Sequence, residues 1–223
     1  MGGRPAKGGG RWVTVPPERL RRWADGFAGR HGPFEVTGDR GVVLLTARDG
    51  GRAELHVPFP PLAADPPPGG GEALFEALVE HALARRSVGV VLVRMGGYAA
   101  GVFHGGDLVV SKVGSRLVQG RSAAGGWSQQ RFARRRQNQA GQAYDAAGET
   151  AARVLGPHLD RLDAVVFGGD HRAVDALRAD RRLAPLFALE AEPFLTVPDP
   201  RLAVLRETPA AFRAVRVRVT DPA

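Results

Sequence analysis

Val88-Gly89-Val90-Val91-Leu92-Val93 is an unbroken apolar run. A strand with one wet face alternates apolar and polar residues; a run without alternation marks a strand buried on both faces. The flanking sequence supplies the elements to cover it. Before the run, Glu72–Arg86 reads as an amphipathic helix. After it, Tyr98–Phe103 and Leu108–Val113 read as two strands joined by His104-Gly105-Gly106-Asp107, a hairpin-type turn. Ala140, Tyr144, Ala147, Ala151 and Leu155 then recur at steps of three and four, predicting a long helix that stops before Gly156-Pro157. Ala164–Phe167 reads as a strand, followed by Gly168-Gly169-Asp170 and a helix through Leu177. A further strand is predicted near Leu186–Leu189. The last is Ala214–Val219, where Val215, Val217 and Val219 alternate with Arg216 and Arg218, so one face is solvated. This order predicts a mixed α/β domain over residues 72–223.

Ahead of it, residues 1–11 read as a flexible basic tail and residues 12–60 as a small antiparallel α+β unit. A helix starts near Pro16-Pro17-Glu18, with Leu20, Trp23 and Phe27 at helical spacing, and the rings of Trp12, Trp23 and Phe27 are assigned to the core rather than to a partner contact. Short strands are predicted at Phe34–Val36, Val42–Leu45 and Ala53–Val57. The stretch from Pro58 to Gly71 is dense in proline and glycine, which excludes a helix or a central strand. Residues 61–71 are therefore a linker or long loop and the predicted domain boundary.

The chain has no cysteine, which excludes disulfides, zinc ribbons and thiol nucleophiles. Met1–Gly10 lacks the apolar core of a signal peptide, and nowhere do about 18 apolar residues run together, so a soluble, cytoplasmic, monomeric protein is expected. The six histidines (31, 56, 81, 104, 158 and 171) are scattered, so neither a metal site nor a cofactor is predicted. Gly168-Gly169-Asp170-His171 lacks the full phosphate-binding glycine pattern and reads as a turn with Asp170 as helix N-cap. A Gly-x-Ser-x-Gly nucleophile elbow is absent.

Net charge is +8, and it is concentrated. Between Leu108 and Tyr144 lie Lys112, Arg116, Arg121, Arg131, Arg134, Arg135 and Arg136, with no Asp or Glu among them. Such a cluster suits a polyanion, whose phosphates reward it through counterion release. Within it sits Gly125-Gly126-Trp127-Ser128-Gln129-Gln130. Two glycines let main-chain N–H groups approach a substrate closely. A glutamine does not titrate, so it is no general base, but it orients water or donates to developing negative charge. On spacing alone, a surface loop followed by a solvated helix start accounts for the same residues.

The run from Val88 through the hairpin to Gly120-Arg121, then Gly125-Gly126-Trp127-Ser128-Gln129-Gln130 and an arginine-rich helix start, resembles the Vms-like release factor family. That family is related to the catalytic domain of the class I release factors of eukaryotes and archaea. The resemblance spans about residues 88–180, and its style fits an actinobacterial branch. It implies a release-factor-like α/β fold and a peptidyl-tRNA hydrolase acting in ribosome rescue, with peptidyl-tRNA and the large ribosomal subunit as partners. It also implies an essential glutamine soon after the glycines, at Gln129 or Gln130, with Gly125 and Gly126 shaping the loop. Trp127 and Ser128 interrupt a plain Gly-Gly-Gln; the Gly-x-x-Gln spacing of Gly126 to Gln129 favours Gln129. Lys112, Arg116, Arg121, Arg131 and Arg134–Arg136 are then the tRNA contacts, and Trp127 stacks on a base of the acceptor end. Two rivals stay open: a non-catalytic RNA- or ribosome-binding module using the same loop, and a ribonuclease.

Overall fold

The computed structural model describes residues 4–6, 8–62, 70–95, 97–115 and 129–222, with the side chains of 129–140 and of Gln142 outside that description. The chain forms two compact units. The first is built from residues 1–84 and 209–223, the second from 85–208.

The first unit is a six-stranded antiparallel sheet with two helices on one face. Its strands are β1 (Arg4–Pro5), β2 (Arg11–Val15), β3 (Phe34–Gly38), β4 (Val42–Ala47), β5 (Arg52–His56) and β10 (Val215–Thr220), in the order β1-β2-β10-β5-β4-β3. Helix α1 spans Leu20–His31 and α2 Gly71–Leu83. Leu20, Ala24 and Phe27 of α1 and Leu74, Leu78 and Val79 of α2 share one core with Val43, Leu45, Leu55, Val215 and Val217. Phe27 is fully buried and Trp23 packs against this core, as predicted; Trp12 lies half-buried in β2, against His56 and Arg216.

This division differs from the sequence expectation in three respects. Strand β10 belongs to the first unit, hydrogen-bonded between β2 and β5 (Val217 opposite Val13 and Leu55), because its inward valines complete that sheet. Helix α2 also joins the first unit, so the boundary falls after Ala84 and not at the proline-rich stretch. Within the predicted tail, Arg4 and Pro5 pair with Trp12 and Arg11. Of the predicted linker, residues 63–69 lie outside the described residues.

Two turns of this unit carry a pH dependence. The Asp39 carboxylate accepts the N–H groups of Gly41 and Val42 at 2.7 and 2.8 Å. Asp49 accepts that of Gly51 at 2.8 Å, with His31 Nδ1 at 3.0 Å. The Gly41 and then the Val42 N–H hold Asp39 below the usual carboxylate range, and Gly51 followed by His31 does so for Asp49. A depressed folded pKa contributes stability above the unfolded value, about 4, and that stability is lost as pH falls through the folded value. The melting temperature should hold from neutrality to about pH 5 and fall below about pH 4. Asp39→Asn, which keeps the turn acceptor and removes the titration, should make that fall shallower.

The second unit is a four-stranded sheet of β6 (Ser87–Arg94), β7 (Gly97–His104), β8 (Asp107–Ser115) and β9 (Ala164–Gly169), ordered β8-β7-β6-β9. β6, β7 and β8 form an antiparallel meander, and β9 returns parallel to β6. Val88 to Val93 are all buried, as the apolar run predicts. One face of the sheet is covered by α3 (Gln129–Leu155) and α4 (His171–Arg178), whose Ala147, Ala151, Leu155, Val174 and Leu177 share a core with Val91, Val93, Ala100 and Phe167. Gly89 admits Leu155 against the strand: a Cβ there would lie 2.6 Å from Leu155 Cδ2. On the other face, Leu205 of α6 (Leu202–Glu207) approaches Gly101.

The segment near Leu186–Leu189 corrects the prediction of a strand. Residues Ala184–Ala188 form a helical turn, α5, which Pro185 starts. Extended chain comes just after it, where Glu190 and Leu195 bridge Val165 and Gly168 of β9 in parallel. Asp170 is the N-cap of α4, as predicted, accepting the Arg172 N–H at 2.9 Å. Asp170→Ala should cost about 1 kcal/mol. Thermal unfolding would show this as a melting temperature lower by about 2–4 °C.

Candidate functional site

Strand pairing gathers one edge of the second unit. Ser115 at the end of β8 lies opposite Gly97, Gly97 opposite Arg94, and Val93 beside Gly169. This row holds the C-terminal ends of β6, β8 and β9. The chain leaves it at Ser115 for residues 116–128 and continues in α3 at Gln129.

Helix length locates the start of α3. Its 27 residues extend about 40 Å, whereas the longest strand beneath it, of nine residues, extends about 30 Å. Leu155 pins the C-terminal end of the helix at Gly89, near the start of β6. The surplus therefore falls at the N-terminal end of the helix. The first turn of α3 contains no Asp or Glu. Its unpaired N–H groups and the positive end of the helix dipole suit an anion.

The sequence-predicted residues distribute as follows. The backbones of Gln129, Gln130 and Arg131 occupy the first turn of α3, and Arg134, Arg135 and Arg136 the next. Lys112 is exposed on β8, an edge strand, where a lysine also deters edge-to-edge pairing. Arg116, Arg121, Gly125, Gly126 and Trp127 lie outside the described residues.

The same edge carries residues that the sequence reading did not single out for function. Arg94 ends the buried run and donates from Nη1 to the Val197 carbonyl at 2.7 Å. Met95 beside it is 57% exposed. The His171 ring stacks on Phe194 with centroids 3.7 Å apart and planes 15° from parallel. The first charged residue after an apolar strand was the available signal for Arg94. Phe194 carried none, because its neighbour is 23 positions away in sequence. Among the described residues, no three His, Asp or Glu side chains come together as a metal site, and no helix is long and apolar enough to cross a membrane.

Comparison with known families settles the class of this mixed α/β unit. A profile of the Actinobacteria/chloroflexi VLRF1 release factor family matches residues 86–218, more than half of the chain. The chain belongs to that family. Its match covers nearly all of the second unit and runs on through residues 209–218, which return to the first. No curated protein matches in sequence.

Similar solved structures include one titled an archaeal protein, at 17% identity and a TM-score of 0.39, covering 74% of this chain and 48% of that one. The archaeal translation termination factor aRF1 shows 15% identity, a TM-score of 0.41 and coverages of 91% and 66%. The Vms1 mitochondrial localization core shows 7% identity, a TM-score of 0.43 and coverages of 92% and 82%. The chain thus spans 48% and 66% of the length of the first two, less than two thirds of each. The family match alone carries the assignment.

Proposed function

We propose that this release factor hydrolyses the ester joining a nascent peptide to its tRNA, in ribosome rescue, on the large ribosomal subunit in the cytoplasm. The observation that carries the reading is the pairing of family membership with a glutamine at the first residue of α3, directly after the Gly125-Gly126-Trp127-Ser128 segment. Gln129 orients a water against the ester carbonyl or donates to the oxyanion as the tetrahedral intermediate forms. Main-chain N–H groups around Gly125 and Gly126 share that negative charge. No side chain from Gly125 to Gln130 titrates near neutrality, so the substrate's own ribose hydroxyl takes the proton of the attacking water and gives its own to the neighbouring ribose oxygen as the ester bond breaks. Arg121, Arg131 and Arg134–Arg136 hold the acceptor-end phosphates, with Lys112 and Arg116 at the rim, and Trp127 stacks on a terminal base.

The test is peptide release from peptidyl-tRNA on large-subunit complexes, comparing the wild type with Gln129→Ala and Gln130→Ala. Loss in the first with retention in the second supports the reading and its register. An RNA-binding module without hydrolysis is the second reading, favoured by the span's seven basic residues; it expects binding without release from any of the three proteins. A companion measurement addresses the arginines. Replacing Arg134, Arg135 and Arg136 together by Gln should weaken tRNA binding and lower the slope of log affinity against log salt by about 2, from three lost phosphate contacts at roughly 0.7 each.

A further inference from the structure

The first unit contains a cleft of about 580 Å³, and none of the residues of the candidate site lines it. It opens between α1 and the inner face of β2 and β10. Its floor is apolar, formed by Val13, Val15, Val219 and the half-buried Trp23, whose ring stacks on Phe27 at 5.8 Å. Its walls carry Arg11, Arg19, Arg22 and Arg30, and no Asp or Glu among the described residues lines it. Arg11 is paired with Asp221 at 2.7 Å, and that carboxylate also stands 3.8 Å from His31. Arg19, Arg22 and Arg30 are exposed and make no ion pair among the described residues.

Core packing explains Trp23 and the valines. It does not explain three unneutralised guanidinium groups converging on an apolar hollow, an arrangement that costs like-charge repulsion. A ligand with a flat apolar part and a phosphate resolves both features. The volume lies within the usual range for a small-molecule site, large enough for a nucleotide. Planar guanidinium forks suit phosphate oxygens, and an apolar floor with a tryptophan suits a base. A base pair inside a duplex cannot present its face to such a hollow, whereas an unpaired one can.

We infer that the cleft between α1 and β2 is a second RNA site, which takes an unpaired nucleotide of single-stranded RNA with Arg19, Arg22 and Arg30 on its phosphates. The inference does not rest on peptide release: a chain that hydrolyses nothing would still show it. It gives the first unit a role of its own, anchoring the protein on an exposed RNA strand while the second unit engages its substrate.

The test uses the full chain and a fluorescent 12-nucleotide oligouridine carrying 4-thiouridine. Arg19→Gln/Arg22→Gln/Arg30→Gln should weaken binding at least tenfold and lower the salt slope by about 2. Gly26→Leu fills the hollow without altering charge, since a Cβ at Gly26 meets only Arg30 Nη1, at 3.7 Å. It should weaken binding too, and photo-crosslinks should map to residues 11–30. The same losses are expected when Arg134–Arg136 have already been replaced by Gln, which separates this site from the α3 arginines. Unchanged affinity in both cleft variants, crosslinks confined to the second unit, or equal affinity for duplex RNA would overturn the inference. So would binding of free uridine monophosphate with none of the oligomer.

Discussion

Replacing Gln129 with alanine should slow peptide release by about 10²–10³-fold, the usual cost of removing one preorganised donor to a developing oxyanion. The size of the effect follows from what the side chain does. A glutamine that merely held the substrate would raise KM and leave kcat unchanged; one that meets charge present only in the transition state lowers kcat. Gln129→Glu keeps the length and replaces a donor by a negative charge, so it should be at least as damaging. On this reading the side chain acts on the transition state and not in packing or in tRNA affinity. Melting temperature and tRNA binding should therefore stay near wild type. Gln130→Ala, one residue along and about 100° around the helix, should retain most activity. If instead it inactivates the protein while Gln129→Ala does not, the register moves by one residue.

The largest effect on stability is expected at Gly169. Its φ is +104°, a conformation closed to L side chains, and a Cβ there would collide with the Val93 carbonyl oxygen and stand 2.8 Å from its carbon. Neither atom can yield, because that oxygen accepts the Asp170 N–H at 2.9 Å as β6 and β9 end side by side. Gly168 is closed in the same way: a Cβ there would stand 2.5 Å from both the Cβ and the carbonyl oxygen of Leu195. Gly169→Val should destabilise the second unit by about 3 kcal/mol or more, through backbone strain and overpacking together. Chemical denaturation would show this as a lower midpoint. A midpoint within error of wild type would mean that the turn relaxes, and that the two glycines serve something other than the close approach of strands.

These cases show what a sequence makes legible. The unbroken apolar run, the Gly-Gly hairpin and the Asp170 cap each depend on residues a few positions apart, so local pattern captured them. The return of β10 to the first unit depends on pairing with β2 and β5, more than 150 residues back in the chain. Alternating Val and Arg disclosed its wet face, and no local signal discloses which sheet it completes. Strand β2 was missed because Arg11-Trp12-Val13-Thr14-Val15 follows a glycine-rich start and reads as a continuation of it. Leu186–Leu189 is a short apolar stretch, the kind that periodicity cannot assign between helix and strand. Helix α3 begins 11 residues before its apolar periodicity does, since glutamines and arginines at its start carry no core-facing pattern. Of the site, the basic cluster and the glutamines were legible as composition. The row that joins Ser115, Gly97 and Arg94 exists only through the register of the meander.

The most direct measurement is a single-turnover reaction of the wild-type protein with labelled peptidyl-tRNA on large ribosomal subunits, reading the peptide and the tRNA from the same sample. Free peptide alongside full-length tRNA, formed at a rate that depends on Gln129, is the predicted result. Stable binding with no peptide released, or a shortened tRNA, would contradict ester hydrolysis and leave a binding module or a ribonuclease in its place.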